Sequence, residues 1–380
     1  MYMKNQRFSK YDIRILLLLT IISLISWTIA QYGLHFQSSS LQDKMLLAST
    51  LMEEAIYRVR EYRANLGIAF TPDDINQTGL IGVRYSAITT TIGSLEAKRT
   101  TTNPNFAGLM VYLLDQAGAK PGDAIAIGAS GSFPALIIAT LAAAKVLDLV
   151  PILICSLGAS QWGANELEFT WLIVEDCLVK AGWLPENFKA VAVSLGGDKD
   201  TAQELSLEAR EALLRQINQY AKNKEFIYLD DLATNVQKRL AIYYQKAGNR
   251  RIAAFVSIGG NWADLGEDPA ILSMGPGLNV LTTVPGTSKK GVIFEMASQG
   301  VPIIHLLNIK DLAIKYGLPW DPSPLPKPGE GYLYKLVLQK FELPFIILSA
   351  SFLTAVGLIL VVGRSLQRKH VQLFKTDRKV

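Results

Sequence analysis

Residues 121–165, PGDAIAIGASGSFPALIIATLAAAKVLDLVPILICSLGASQWGAN, constrain the fold more than any other stretch. They read as an apolar strand, a Gly/Ser turn, an Ala/Leu-rich helix, a second apolar strand and a second Gly/Ser turn. Two strands joined through a helix run parallel, and a parallel pair needs helices over both of its faces. The two polar turns then lie at the same end of the sheet.

The same rhythm recurs downstream. Segments 124–127, 150–154, 190–193, 226–229 and 253–257 are short and mostly apolar, with helical patterns at 133–147, 166–181, 201–222 and 232–246 between them. Alternation of this kind predicts right-handed crossovers and an α/β fold, a mostly parallel open sheet with helices on both faces. A later pair of segments, 291–297 and 301–306, extends the domain. Upstream, the Thr-rich stretch 80–105 reads as a β-hairpin edge, and 106–119 as a helix closed by Gly118. A short helix at 311–316 stops at Gly317.

Hydrophobic residues make up 49% of the 380-residue chain, and two runs at its ends account for the excess. Residues 13–30 carry one charge, Arg14, and residues 343–363 carry none. Each suits the roughly 20 residues that cross a bilayer core. The expected layout is a cytoplasmic tail (1–12), a transmembrane helix (13–32), an amphipathic connecting helix (33–66) and an extracytoplasmic α/β domain (67–320). A Pro-rich linker (321–340), a second transmembrane helix (341–363) and a basic cytoplasmic tail (364–380) follow. The first run also has the basic n-region of a secretory signal, but its length and weak cleavage pattern favour an uncleaved anchor. The connecting helix shows its apolar stripe at Leu46, Leu47, Leu51, Ile56 and Val59. The linker is read as a semi-rigid spacer, because five prolines crowd into 318–331.

The net charge of +5 resides in the tails. Without residues 1–14 and 364–380, 28 basic residues face 31 acidic ones. The basic balance is therefore a topology signal, with both tails cytoplasmic and the domain outside the plasma membrane, and not a nucleic-acid footprint. Cys155 and Cys177 are too few for a disulfide framework and read as core residues.

Ligands of open parallel sheets bind beyond the carboxyl ends of the strands. Four small-residue loops lie there, at 128–132, 156–160, 194–198 and 257–261. They nominate Gly128, Ser130, Ser132, Ser160, Trp162, Asn165, Gly197, Asp198, Gly260 and Asn261 as ligand-binding residues, with Lys98 and Arg99 presenting cations beside hydroxyls. Glycine turns and helix starts favour a small anionic group, such as a carboxylate or phosphate. Short βα turns also use Gly and Ser for steric reasons alone. None of the loops fits a dinucleotide fingerprint, a Walker A loop or a nucleophile elbow. Ser130 and His305, with Asp198 or Asp264, form the serine–histidine–carboxylate arrangement to test. Acidic groups after the loops suit a hard cation or simply solvated helix starts, and no zinc spacing is present. No cofactor and no metal site is assigned.

Four phrases together, GDAIAIGASGSFPALIIATLAAA, SLGASQWGANELEFTWL, VAVSLGGDKD and GVPIIHLLNIKDLAIKYGLPWDPSPLP, resemble the membrane-tethered poly-γ-glutamate system protein family. The resemblance covers most of the outer domain and both apolar runs. It implies an accessory role in bacterial poly-γ-glutamate synthesis or export, with the synthase membrane subunits, an anionic polymer and the lipid bilayer as partners. It supplies no established catalytic motif. The expectation is a membrane-anchored accessory protein that binds polymer or partner through its Gly/Ser loops. The alternative is a hydrolase or transferase acting on γ-glutamyl or cell-wall amide bonds, and a scaffold for the export subunits is a third reading.

Overall fold

The computed structural model describes residues 10–339 and 349–361, apart from 351, 355 and 358. The chain forms two compact units, Met1–Ser40 with Leu336–Val380, and Leu41–Lys335. In the first unit the described residues are helical, and α1 (Lys10–Asn65) begins there. Among the described residues no helix is long and apolar enough to cross a membrane. Several side chains of 13–32 and much of 341–363 lie outside that description, as do residues 1–9 and 362–380.

The second unit is built on a sheet of seven strands among the described residues. These are β1 (Ala124–Ser130), β2 (Val150–Ser156), β3 (Ala192–Ser194), β4 (Glu225–Ile227), β5 (Ile252–Ile258), β6 (Gly277–Asn279) and β7 (Ile303–Leu306). Their order is β4-β3-β2-β1-β5-β7-β6, all parallel except the β6–β7 edge pair. The sheet grows from β1 in two directions, so the crevice between the β1 and β5 loops is its topological switch point. β1 is buried along its whole length, and β2 and β5 everywhere but their first residue, as strands covered on both faces must be.

One face packs Ala126, Ile154 and Phe255 into an apolar cluster with α7 (Leu232–Ala247), α8 (Trp262–Leu265) and α9 (Val292–Ser298). Segment 291–297 is thus helix, and only the second of the late pair is a strand. The other face is covered by α4 (Pro134–Val146), buried from Pro134 to Ala144, with α3 (Asn105–Gln116) packed on it. α5 (Trp171–Lys180) and α6 (Leu207–Tyr220) carry the chain to β3 and β4, and α10 (Ile309–Tyr316) closes the unit. Cys155 and Cys177 are free and buried, as read from sequence.

Three expectations need correction. From Leu41 onward α1 is part of the globular unit and buries Met45, Ala48, Met52, Ala55, Ile56 and Val59, while Leu46 and Leu47 are exposed. α1 and α3 approach each other closely at Gly108. A Cβ there would lie 2.9 Å from Ser49 Oγ and 2.9 Å from Tyr334 Oη. Stretch 80–105 forms no hairpin. Thr90 donates its N–H to Ala159 O and Gln161 donates to Thr91 O, and the chain then enters α2 (Leu95–Thr101). Ser94 caps that helix by accepting from Ala97 N–H at 3.2 Å, and Glu96 stands in its first turn. Cap and dipole outweigh the strand preference of threonine.

The Pro-rich segment is a clasp and not a free spacer. Asn105 Nδ2 donates to the carbonyls of Lys327 and Glu330, and Asn105 Oδ1 accepts from Gly329 N–H and Tyr334 O–H. Asn76 Nδ2 donates to Pro322 O, and Arg99 pairs with Asp321.

Candidate functional site

At the carboxyl ends of the strands lies a cleft of about 600 Å³. Loops following β1, β2, β3, β5 and β7 form its floor and rim, and residues 90–94 with α2 form one wall. The deepest charged group is Lys98. α2 is only seven residues long and turns Lys98, Thr100 and Thr101 inward. Lys98 is 3% exposed, and its Nζ sits 3.6 Å from the centre of the Phe133 ring. Nζ donates to Ser132 O at 2.6 Å and lies 2.7 Å from Ser160 Oγ. Burial pushes its pKa well below the usual 10.5, with no carboxylate holding the proton in place.

Around the amine stand three serines. Ser160 N–H donates to Ser132 Oγ at 2.9 Å, Ser130 Oγ donates to Ser132 Oγ at 2.8 Å, and Ser132 N–H donates to Ser130 Oγ at 3.2 Å. The β1 and β2 loops are thereby locked together through side chains. Gly93 backs onto this cluster. A Cβ there would lie 2.8 Å from Gln161 O, 3.3 Å from Ser160 Oγ and 3.5 Å from Lys98 Cε. Gly93 N–H donates to Gln161 Oε1, which ties the wall to the β2 loop.

Most acidic groups that follow the loops have structural partners. Glu166 accepts from the buried Arg63. Glu175 accepts from Ala190 N–H and pairs with Lys224. Asp200 joins Ser194, Asn235 and Arg239 in a fully buried network beneath the β3 loop. Glu204 folds over Gly197 and accepts from Asp198 N–H, so both carboxylates stand at the β3 end of the cleft. Among the described residues no group of His, Cys, Asp and Glu is arranged to hold a metal ion.

Asp264 differs from the others. Its carboxylate lies buried against Gly128 with no hydrogen-bond partner. Burial raises its pKa to about 7, with Asp200 adding to the rise and Arg239 opposing it. Ser257 pairs with Gly128 across the sheet and His305 pairs with Ser257, so all three share one face. Ser257 Oγ and His305 Nδ1 are also without partners.

Of the residues nominated from sequence, Lys98, Ser130, Ser132, Ser160, Gly197, Asp198, Gly260 and Asn261 line the cleft together. Arg99, Gly128, Trp162 and Asn165 are not among its lining residues. Arg99 is turned to Asp321, and Gly128 is covered by Asp264. Trp162 Nε1 donates to Asp73, and Asn165 binds Val83 on both its N–H and its carbonyl. His305 lies on β7, two strands from β1, which is about 10 Å at ordinary strand spacing. Burial holds its pKa down to about 4. Ser130 and His305 therefore form no dyad. Sequence reading passed over Gly93, Phe133, Glu204 and Leu307, which no motif marks; the strand order gathers the last three, and bonds to Ala159 and Gln161 hold the segment of Gly93 against them. Comparisons with protein-family models, curated proteins and solved structures give no match.

Proposed function

We propose that the cleft performs acyl transfer on an amide or ester bond, with Ser160 as nucleophile and Lys98 as general base. One observation carries this reading: a buried amine without a counter-charge, 2.7 Å from a serine hydroxyl that lines a cleft. A neutral Lys98 donates to Ser132 O and leaves its lone pair for the Ser160 hydroxyl. As Ser160 Oγ attacks the carbonyl carbon, its proton moves to Nζ and a tetrahedral intermediate forms. Collapse breaks the bond to the leaving amine or alcohol, which takes the proton from the Lys98 ammonium. Water or an acceptor amine then attacks the acyl-serine, with Lys98 again taking the incoming proton and returning it to Ser160 Oγ. Ser132 Oγ holds Ser160 in place by accepting from the Ser160 N–H, and Ser130 in turn orients Ser132.

A fluorophosphonate probe on the full-length protein tests this. Label should map to Ser160 and vanish in Ser160→Ala and Lys98→Met, while Ser130→Ala keeps a measurable rate. Label on Ser130, or a Lys98→Met protein that reacts normally, would overturn it.

The setting we propose for this chemistry is an accessory protein of a poly-γ-glutamate system, anchored by 13–32 and 341–363 with both tails cytoplasmic. The resemblance in sequence and the charge of the tails support that setting. So does the exposure of Leu17, Leu18, Ile21, Leu24, Ile25 and Trp27 along α1, apolar surface that lipid would cover. Gripping of an anionic polymer by the cleft is less well supported, because Lys98 is the one basic residue lining it against Asp198 and Glu204.

A further inference from the structure

The cleft is polarised along the sheet. β3, β2, β1 and β5 are consecutive neighbours, so the loops after β3 and after β5 lie three strand spacings apart, about 14 Å. Asp198 and Glu204 stand at the β3 end. The serines of the β1 and β2 loops occupy the middle with Lys98. At the β5–β7 end Trp262 and Leu307 line the cleft while 39% and 38% exposed, and a Cβ on the neighbouring lining residue Gly260 would lie 3.7 Å from Leu307 Cδ1. Ile92, 79% exposed, adds an apolar lip on the wall. Single exposed apolar side chains are ordinary, but these three line one cavity that also holds the nucleophile.

Resting on the Ser160–Lys98 reading, we infer that the scissile bond carries an apolar group on one flank and a group free of negative charge on the other. A carbonyl carbon placed at Ser160 Oγ leaves substrate extending both ways along the strand ends. Toward β5 and β7 it meets Trp262 and Leu307, which gain by covering aliphatic or aromatic carbon. Toward β3 it meets two carboxylates, one of them folded back to accept the other's backbone N–H. An anionic group there faces like charge inside a cleft where water screens less than in bulk. The substrate class is therefore an amide or ester of an apolar acyl residue, its other side neutral or amine-bearing, and not the interior of a polyanion.

Three p-nitrophenyl esters given to the full-length protein separate the possibilities: acetate, valerate, and the glutarate monoester, which matches valerate in length but ends in a carboxylate. Valerate should exceed the glutarate monoester in kcat/KM by about ten-fold or more. Trp262→Ala should lower the valerate-to-acetate ratio by about ten-fold. A carboxylate on the leaving group probes the other flank: 3-carboxy-4-nitrophenyl valerate should be turned over about ten-fold less well than p-nitrophenyl valerate, and replacing Asp198 by Asn together with Glu204 by Gln should narrow that gap. A glutarate monoester turned over as well as valerate, with acetate active, would overturn this inference and leave the Ser160–Lys98 reading standing. No turnover of any ester, acetate included, overturns that reading and this one with it.

Discussion

Lys98 and Asp264 are both buried titratable groups whose charged form burial disfavours, and they respond to pH in opposite ways. For Lys98 the neutral form is the base, so kcat/KM should rise as pH increases and level off well below 10.5. A pH–rate profile checks this, and a limb at the ordinary lysine position would count against Lys98 as base. Asp264 holds its proton up to about pH 7 in the folded chain and loses it near 4 when unfolded. Its contribution to stability is complete below pH 4, declines as pH rises toward 7 and is flat above. The loss is on the order of 4 kcal/mol at most. Urea midpoints from pH 4 to 8 should therefore fall less steeply for Asp264→Asn than for the parent chain. At this scale the sequence was partly legible. It marked Lys98 and Ser160 by their company of Thr, Gly and Ser, but showed neither the burial that neutralises the lysine nor the strand order that separates Ser130 from His305.

Among the elements, α2 and the wall before it matter most to the cleft. Replacing Gly93 by Ala forces a methyl group toward Gln161 O and Ser160 Oγ, shifting the nucleophile while removing no reacting group. We expect acylation to slow by about 100-fold, the cost of a displacement near 1 Å, with the thermal midpoint moving by only a few degrees. α1 is joined to the β2 loop by Arg63 and Glu166, with Arg63 1% exposed. Glu166→Ala leaves that guanidinium without its carboxylate and should destabilise the folded unit by about 3 kcal/mol, read from denaturant midpoints. The parallel strands and their helices were legible because each is apolar on a regular period and bounded by Gly or Pro. α2 was not, because the six threonines of 80–105 outvote one serine cap on propensity alone. The stripe on α1 was legible at Ile56 and Val59, which are buried, but not at Leu46 and Leu47, which are exposed while Met45, Ala48, Met52 and Ala55 pack instead.

For the whole molecule, the proposed topology makes a direct prediction. Protease added outside spheroplasts should degrade the α/β unit and spare both terminal tails, and protection of the unit would place it on the cytoplasmic side. The same arrangement gives meaning to the clasp. Ser49, eight residues into the globular unit, lies 2.7 Å through its Oγ from Tyr334 Oη, at the unit's far end in sequence. Asn105 gathers Lys327, Gly329, Glu330 and Tyr334 around a single side chain. Entry and exit of the chain are thus stapled side by side at the start of α3. In mechanical terms, tension applied through the two tails runs across that staple and largely bypasses the sheet. The chain could be cut at an outer loop and rejoined between residues 41 and 335 by a short linker, because Ser49 meets Tyr334 and residue 41 lies only about 12 Å from Ser49 along α1.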